Sequence, residues 1–171
     1  MVIASSANYQ HIPVMLMETL ENLNIKNNGI YVDGTLGLGG HSEQILKKID
    51  SGLLLGIDRD KDAIGIAEER LLKNKNFKII HNSYENLKII LNELKIDAVD
   101  GILLDLGLSS FQLENNERGF SHKYKSSLDM RFDISSKDYT AEEIINKNEL
   151  KDLTHVFKEF GEEKHAYKIA K

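Results

Sequence analysis

Short apolar runs alternate with longer amphipathic stretches through the first two thirds of the chain. The apolar runs predict four β-strands, at residues 29–33, 52–58, 77–81 and 99–106. The stretches between them have apolar positions at helical spacing and predict helices at residues 41–49, 61–72 and 85–94. Strands that alternate with helices in this way form a parallel, doubly wound α/β sheet.

The pattern changes after Gly107. The fourth strand is almost continuously apolar, as expected of a parallel strand covered on both faces. Residues 108–136 are polar and show little periodicity, and from Thr140 two further helices are predicted, at 141–160 and 162–171. Thr140 with Glu143 has the spacing of a capping box. We therefore predict a domain at 1–108 and the start of a second, mainly helical domain at 109–171.

The composition of the chain limits its possible partners, chemical sites and cellular location. The chain has 171 residues and a formal net charge of -5, so a nucleic-acid partner would have to be met by a local basic patch. It contains no cysteine, which excludes disulfides, zinc-thiolate sites and a cysteine nucleophile. No segment approaches the roughly 20 apolar residues of a membrane-spanning helix, and we expect a cytoplasmic protein without a membrane partner.

The segment YVDGTLGLGGHS, residues 31–42, joins the first strand to its helix. Gly37, Gly39 and Gly40 would let the backbone approach a ligand closely. The spacing departs from the dinucleotide-binding pattern GxGxxG, because Ser42 stands where the third glycine belongs. On spacing alone, the loop is weak support for any one ligand.

Acidic residues end three of the strands and favour a cationic ligand. Asp33 would lie near the pyrophosphate of a dinucleotide, where two like charges about 4 Å apart repel by ~4 kcal/mol. S-adenosyl-L-methionine instead carries an ammonium and a sulfonium. Asp58 is placed to accept hydrogen bonds from ribose hydroxyls, and Asp105 would join both acids in one crevice at the carboxyl ends of the strands. A lone acid after a strand is more often a turn or helix-cap residue, but three such acids together with the glycine loop favour a binding site.

Two further side chains near the predicted crevice have alternative explanations. His41 is either a ligand contact or a residue of the first helical turn. Tyr84 either stacks beside an adenine or packs at the start of its helix.

Six segments of the chain, in this order and spacing, closely resemble segments of the bacterial MraW-type small-subunit ribosomal RNA cytosine-N4 methyltransferases. They are HIPVMLMETLENL, YVDGTLGLGGHS, GIDRDKDAI, GILLDLGLSSFQL, ERGFS and LDMRFD. The resemblance implies a Rossmann-like S-adenosylmethionine-dependent methyltransferase domain with a helical substrate domain inserted after the fourth strand. It implies cofactor contacts at Gly39, Gly40, His41, Asp58, Tyr84, Asp105 and Gln112, and a ribosomal RNA partner in the small ribosomal subunit.

The chain departs from this family in two ways. Phe111 stands where proline is usual, next to Gln112. The family also continues through three further strands, so we expect a truncated form whose fourth strand is an apolar, unpaired edge. The place after that strand, where many amino-methyltransferases have Asp/Asn-Pro-Pro-aromatic, reads Asp105-Leu106-Gly107-Leu108, and no catalytic residue is predicted.

For the RNA, the best local patch is residues 118–131. Its cations are Arg118, Lys123, Lys125 and Arg131, interleaved with Phe120 and Tyr124. An ordinary solvated loop explains this composition equally well. Two other functions remain open from the residues: a non-catalytic cofactor-binding remnant and, disfavoured by Asp33 and Ser42, a dinucleotide-dependent oxidoreductase.

Overall fold

A computed structural model describes residues 13–171. The chain divides into two compact units, with the boundary between Gly107 and Leu108. The predicted boundary lies one residue further along the chain. The opening residues His11 and Ile12 of the segment HIPVMLMETLENL lie outside the described residues.

The first unit contains a four-stranded parallel sheet in the order β3-β2-β1-β4. Its strands are β1 (Ile30–Asp33), β2 (Leu53–Asp58), β3 (Phe77–His81) and β4 (Gly101–Leu103). The predicted α/β class and all four strands are confirmed. In the register, Asp33 lies beside Gly56 of β2 and Leu103 of β4, so these strands end near the same level.

Helices cover both faces of this sheet. They are α1 (Leu16–Asn22), α2 (Gly40–Leu46), α3 (Lys61–Leu71) and α4 (Leu87–Glu93), the last preceded by a 3-10 turn at Tyr84–Asn86. The apolar stripes predicted for α2 and α3 are buried on one face, over Tyr31 and Leu54. Ile90 of α4 packs on the other face, over Val32 and Leu55. Helix α1 is not among the elements predicted from the pattern.

The fourth strand differs from its prediction. Within the described residues it pairs with β1 alone. Its other edge has no partner strand, as expected from the sequence. Its predicted cover on both faces is wrong, because Ile102 is 47% exposed. Ile102 is in register with Val32, so it lies on the α4 side of the sheet. The apolar sequence of this strand is typical of a buried strand, but its α4-side face is exposed in this structure.

The second unit is helical, with α5 (Ser110–Glu114), α6 (Ala141–Lys147), α7 (Leu150–Glu159) and α8 (Ala166–Ala170). The predicted capping box is confirmed: Thr140 Oγ1 accepts from the Glu143 N–H, and Glu143 accepts from the Thr140 N–H. The single helix predicted over 141–160 is wrong. Asn148 is extended with ψ 150°, which separates α6 from α7. Asparagine favours this exit because its side chain competes for backbone hydrogen bonds.

Candidate functional site

The loop between β1 and α2 is fixed from beneath by Asp33. This carboxylate is 1% exposed, and it accepts hydrogen bonds from Ser42 Oγ at 2.7 Å and from the Thr35 N–H at 3.3 Å. Burial raises the pKa of Asp33 to about 6, although the bond from Ser42 opposes the shift. A carboxylate this deeply enclosed fixes the loop from within the protein.

The cofactor contact through Asp33 stays a prediction, although the carboxylate is enclosed in this structure. Alternation along β1 turns Asp33 to the same face as Tyr31, beneath α2, where Ser42 covers it. Ser42 is itself fully buried. The serine at the third glycine position has a positive role, since it supplies the hydroxyl that the buried acid requires.

Asp58 spans from the end of β2 to the glycine loop. Its Oδ2 accepts from the Gly37 N–H at 2.7 Å, and its Oδ1 accepts from the Asp60 N–H at 2.9 Å. Partial burial raises the pKa of this carboxyl, and the backbone donors oppose that shift. Asp58 remains partly exposed, unlike Asp33. Asp58 therefore combines a fixed position with partial exposure.

The glycines of the loop serve different purposes. Gly37 has φ +52°, and a Cβ there would meet no atom closer than 3.9 Å, so its outer side is open. Gly39 has φ +79°, and a Cβ there would lie 2.5 Å from Leu71 Cδ1 of α3. Gly39 therefore permits close packing between helices, while Gly37 provides the open backbone surface.

His41 and Gly40 face the segment that precedes α1. The Nε2 of His41 lies 3.1 Å from the Val14 carbonyl oxygen, a distance at which it donates a hydrogen bond in the Nε2–H tautomer. A Cβ on Gly40 would lie 2.6 Å from Pro13 Cγ. The His41 side chain is 7% exposed. In this structure both residues hold the preceding segment against the loop, a role that spacing alone does not reveal.

Tyr84 and Asp105 complete the rim around the loop. Tyr84 is 38% exposed, and its Cβ lies 3.1 Å from the Cβ position of Gly34. The Asp105 N–H donates to Thr35 Oγ1 at 2.7 Å, while the residue itself is exposed. Asp58, Tyr84 and Asp105 therefore all surround the glycine loop at the carboxyl edge of the sheet, as expected from the strand ends.

Gln112 belongs to the second unit, where it forms a capping box with Ser109. Its Oε1 accepts from the Ser109 N–H at 3.0 Å, and the Gln112 N–H donates to Ser109 Oγ at 3.2 Å. This pair starts α5, an element absent from the predictions. The spacing Ser-x-x-Gln is a capping-box signal that could have identified it.

The four cations of the predicted RNA patch fall into two pairs. Arg118 is 3% exposed, and Arg131 forms a two-pronged ion pair with Asp129 at 2.7 and 2.8 Å. Lys123 and Lys125 are exposed. The guanidinium groups of the two arginines are used within the unit. Of the four predicted cations, the two lysines are therefore the ones available to contact a partner.

The comparison with known families decides the relationship. The model of the MraW methylase family matches residues 8–171. The chain belongs to this family. The match spans both units, so the glycine loop and the helical second unit are parts of one family pattern.

Curated relatives of similar sequence are consistent with this family assignment. The chain is 51% identical over 164 residues to "Ribosomal RNA small subunit methyltransferase H" of Caldicellulosiruptor saccharolyticus, covering 95% of this chain and 53% of the relative. It is 49% identical to the protein of the same name from Halothermothrix orenii, covering 94% of this chain and 52% of the relative. The chain therefore spans about half the length of the curated relatives it matches.

Solved structures show weaker likenesses. NSun6 of Pyrococcus horikoshii is 26% identical with a TM-score of 0.46, over 58% of this chain and 25% of that one. An rRNA methylase of Streptococcus thermophilus is 25% identical with a TM-score of 0.38, over 43% and 45% of the two chains. The family assignment rests on sequence and does not depend on them.

Residues 13–171 contain no helix with the length and apolarity needed to cross a membrane. In the same part of the chain, no group of three or more His, Cys, Asp or Glu side chains is arranged to hold a metal ion.

Proposed function

We propose that this member of the MraW methylase family carries the cofactor-binding part of an enzyme that methylates the exocyclic N4 amine of a cytosine in small-subunit ribosomal RNA. Family membership and the printed name of the relatives support the ribosomal RNA substrate. The observation that carries the cofactor site is Asp58, a partly exposed carboxylate bonded to the Gly37 N–H.

The rim of the glycine loop fits S-adenosyl-L-methionine. Gly37 leaves open space beside the backbone, and Asp58 and Asp105 place acidic groups around it. A ligand with an ammonium and a sulfonium is attracted to such a rim, whereas a pyrophosphate is repelled. Membership in a methylase family also replaces the oxidoreductase alternative.

Each residue of the rim has a distinct role in this proposal. Asp58 accepts a hydrogen bond from a ribose hydroxyl, since a carboxylate has about four lone-pair sites and the backbone N–H groups of Gly37, Asp60 and Arg59 do not use all of them. Tyr84 lies beside the adenine, and Gly39, Gly40 and His41 provide backbone along the ligand. Asp105 is a further proposed contact. Asp33 holds the loop.

The bound cofactor supplies an activated methyl group. The cytosine amine is a poor nucleophile because its lone pair is delocalised into the ring. The protein must therefore hold the base in line with the methyl group and accept a hydrogen bond from the amine. The base must also leave its stack to reach the site. A ribosomal RNA substrate and a cysteine-free chain fit a cytoplasmic location.

A methyl-transfer assay tests the proposal. The chain, completed with the remaining half of a relative's length, is incubated with undermethylated small ribosomal subunits and S-adenosylmethionine carrying a labelled methyl group. We expect label in N4-methylcytidine on nucleoside analysis, and loss of label with Asp58→Asn. Label at another nucleoside, or none with a completed protein that binds the cofactor, contradicts the proposed reaction and favours a non-catalytic cofactor-binding protein.

A further inference from the structure

The loop between α5 and α6, residues 115–140, contains no helix or strand, yet its own contacts fix it closely. Arg118 is the first anchor. Its Nη2 donates to the carbonyl oxygens of Arg131 at 2.9 Å and Phe132 at 2.6 Å. Its own carbonyl oxygen accepts from the Met130 N–H at 2.9 Å. A buried arginine therefore ties together the two ends of the segment 118–132.

Asp129 is the second anchor. Its carboxylate holds Arg131 in the two-pronged ion pair, and its carbonyl oxygen accepts from the Ala141 N–H at 2.9 Å. The carbonyl oxygen of Leu128 accepts from the Glu142 N–H at 2.8 Å. These two bonds join the loop to the first turn of α6, and the Thr140 capping box fixes the start of that helix.

This scaffold holds apolar side chains at the surface. Tyr124 is 44% exposed, Leu128 37% and Met130 42%. Met130 has φ +58°, a left-handed conformation that costs a non-glycine residue free energy. A rigid loop that keeps apolar groups exposed, one of them on strained backbone, is typical of a recognition surface and unlike an ordinary solvated loop.

The charge of the same segment is the opposite of the rest of the chain. Residues 121–128 include Lys123 and Lys125 and no acid, in a chain whose formal net charge is -5. Both lysines are exposed. Exposed cations next to an exposed aromatic ring are the combination that binds single-stranded nucleic acid through phosphate contacts and base stacking.

We propose that Lys123, Tyr124, Lys125, Leu128 and Met130 form a surface, the loop tip, that binds unpaired bases of single-stranded RNA. The two lysines contact phosphates, Tyr124 stacks on a base, and Met130 packs against the neighbouring base. Arg118 and Arg131 are positioning residues that hold this surface from within. The inference rests on the proposed ribosomal RNA substrate and names the part of the chain that meets it.

The electrostatic part is tested by RNA affinity as a function of salt. The 171-residue chain is titrated into a fluorescent single-stranded RNA of about 12 nucleotides, a length within the range of single-strand binding sites. Removing both lysines with Lys123→Ala and Lys125→Ala should weaken binding and reduce the slope of log affinity against log salt by about 1.4, or ~0.7 per phosphate contact. Lys73→Ala with Lys75→Ala is the matched control, because these exposed lysines have the same spacing.

The stacking part is tested at Tyr124 and Met130. Tyr124→Ala should weaken RNA binding by about fivefold or more, and Tyr124→Phe should restore it, because stacking needs the ring and not the hydroxyl. Met130→Gly should lower affinity without lowering the melting temperature, since glycine adopts φ +58° more readily. Glu162→Gly is its control: Glu162 also has positive φ, 49°, but lies outside the loop tip.

The outcomes separate the loop tip from the function it rests on. Unchanged RNA affinity in the tip variants, equal losses in the control variants, or no RNA binding by the unaltered chain overturns the loop tip as an RNA surface. Cofactor binding, measured on the same variants, should stay unchanged. Failure of the completed protein to bind S-adenosylmethionine or to methylate ribosomal RNA contradicts the proposed function instead.

Discussion

The buried carboxylate of Asp33 should make the stability of this chain depend on pH in a defined way. Burial raises its pKa from the ordinary 3.8 to about 6. The folded state therefore holds the proton more tightly than the unfolded state does. The stabilisation from this proton is complete below pH 3.8 and is lost as the pH rises through about 6. A change of about two pKa units corresponds to ~3 kcal/mol.

Asp33→Asn removes this titration, because an amide stays neutral throughout. We expect the free energy of unfolding of the unaltered chain, minus that of the variant, to fall by ~2.4 kcal/mol of this total between about pH 4 and about pH 7. Urea unfolding followed by circular dichroism at several pH values measures the difference. Asp97→Asn, at an exposed aspartate, is the control. Parallel pH profiles for the unaltered chain and Asp33→Asn would refute the assignment of a buried, titrating acid beneath the loop.

Four further substitutions test the packing around the loop and the start of a helix in the second unit. Gly39→Ala should destabilise the chain by about 2 kcal/mol or more, because of the positive φ at this position and the clash of the new Cβ with α3. Gly65→Ala, in open space on α3, should stabilise the chain by up to ~1 kcal/mol. Equal effects of the two substitutions in thermal unfolding would contradict this prediction. Ser42→Ala should cost about 1.5–3 kcal/mol at neutral pH, by urea unfolding, because it removes a donor from a buried carboxylate; a neutral result would mean that the hydroxyl is dispensable. Thr140→Ala should cost ~1 kcal/mol and speed amide exchange in α6 alone, so exchange that changes elsewhere would argue against a local cap.

The sheet and its acidic rim could be predicted from the sequence, because they depend on strand periodicity and on where each strand ends. Asp58 and Asp105 follow apolar runs, and parallel strands bring their carboxyl ends to one edge. Asp33 follows the same rule, yet the structure encloses it. Its exposure depends on how α2 crosses β1, and the spacing of residues along the chain does not specify that packing.

Other differences have similarly local causes. In the sequence, Ser42 is notable only because it replaces the third glycine of the GxGxxG pattern. In the structure, its hydroxyl donates a hydrogen bond to the buried carboxylate of Asp33. Arg118 suggests a phosphate contact by its charge, but two backbone carbonyls draw its guanidinium inward. The end of α6 at Asn148 depends on one extended residue that helical periodicity does not reveal.

The central claim is that the rim around Asp58 binds S-adenosylmethionine, and isothermal titration calorimetry tests it most directly. The 171-residue chain and a version extended to the length of its relatives are each titrated with S-adenosylmethionine and with NADH. We predict that the protein extended to the length of its relatives binds S-adenosylmethionine and not NADH, and that Asp58→Asn abolishes this binding while Asp97→Asn leaves it intact. Binding of NADH, or binding of S-adenosylmethionine that Asp58→Asn does not weaken, would contradict the account.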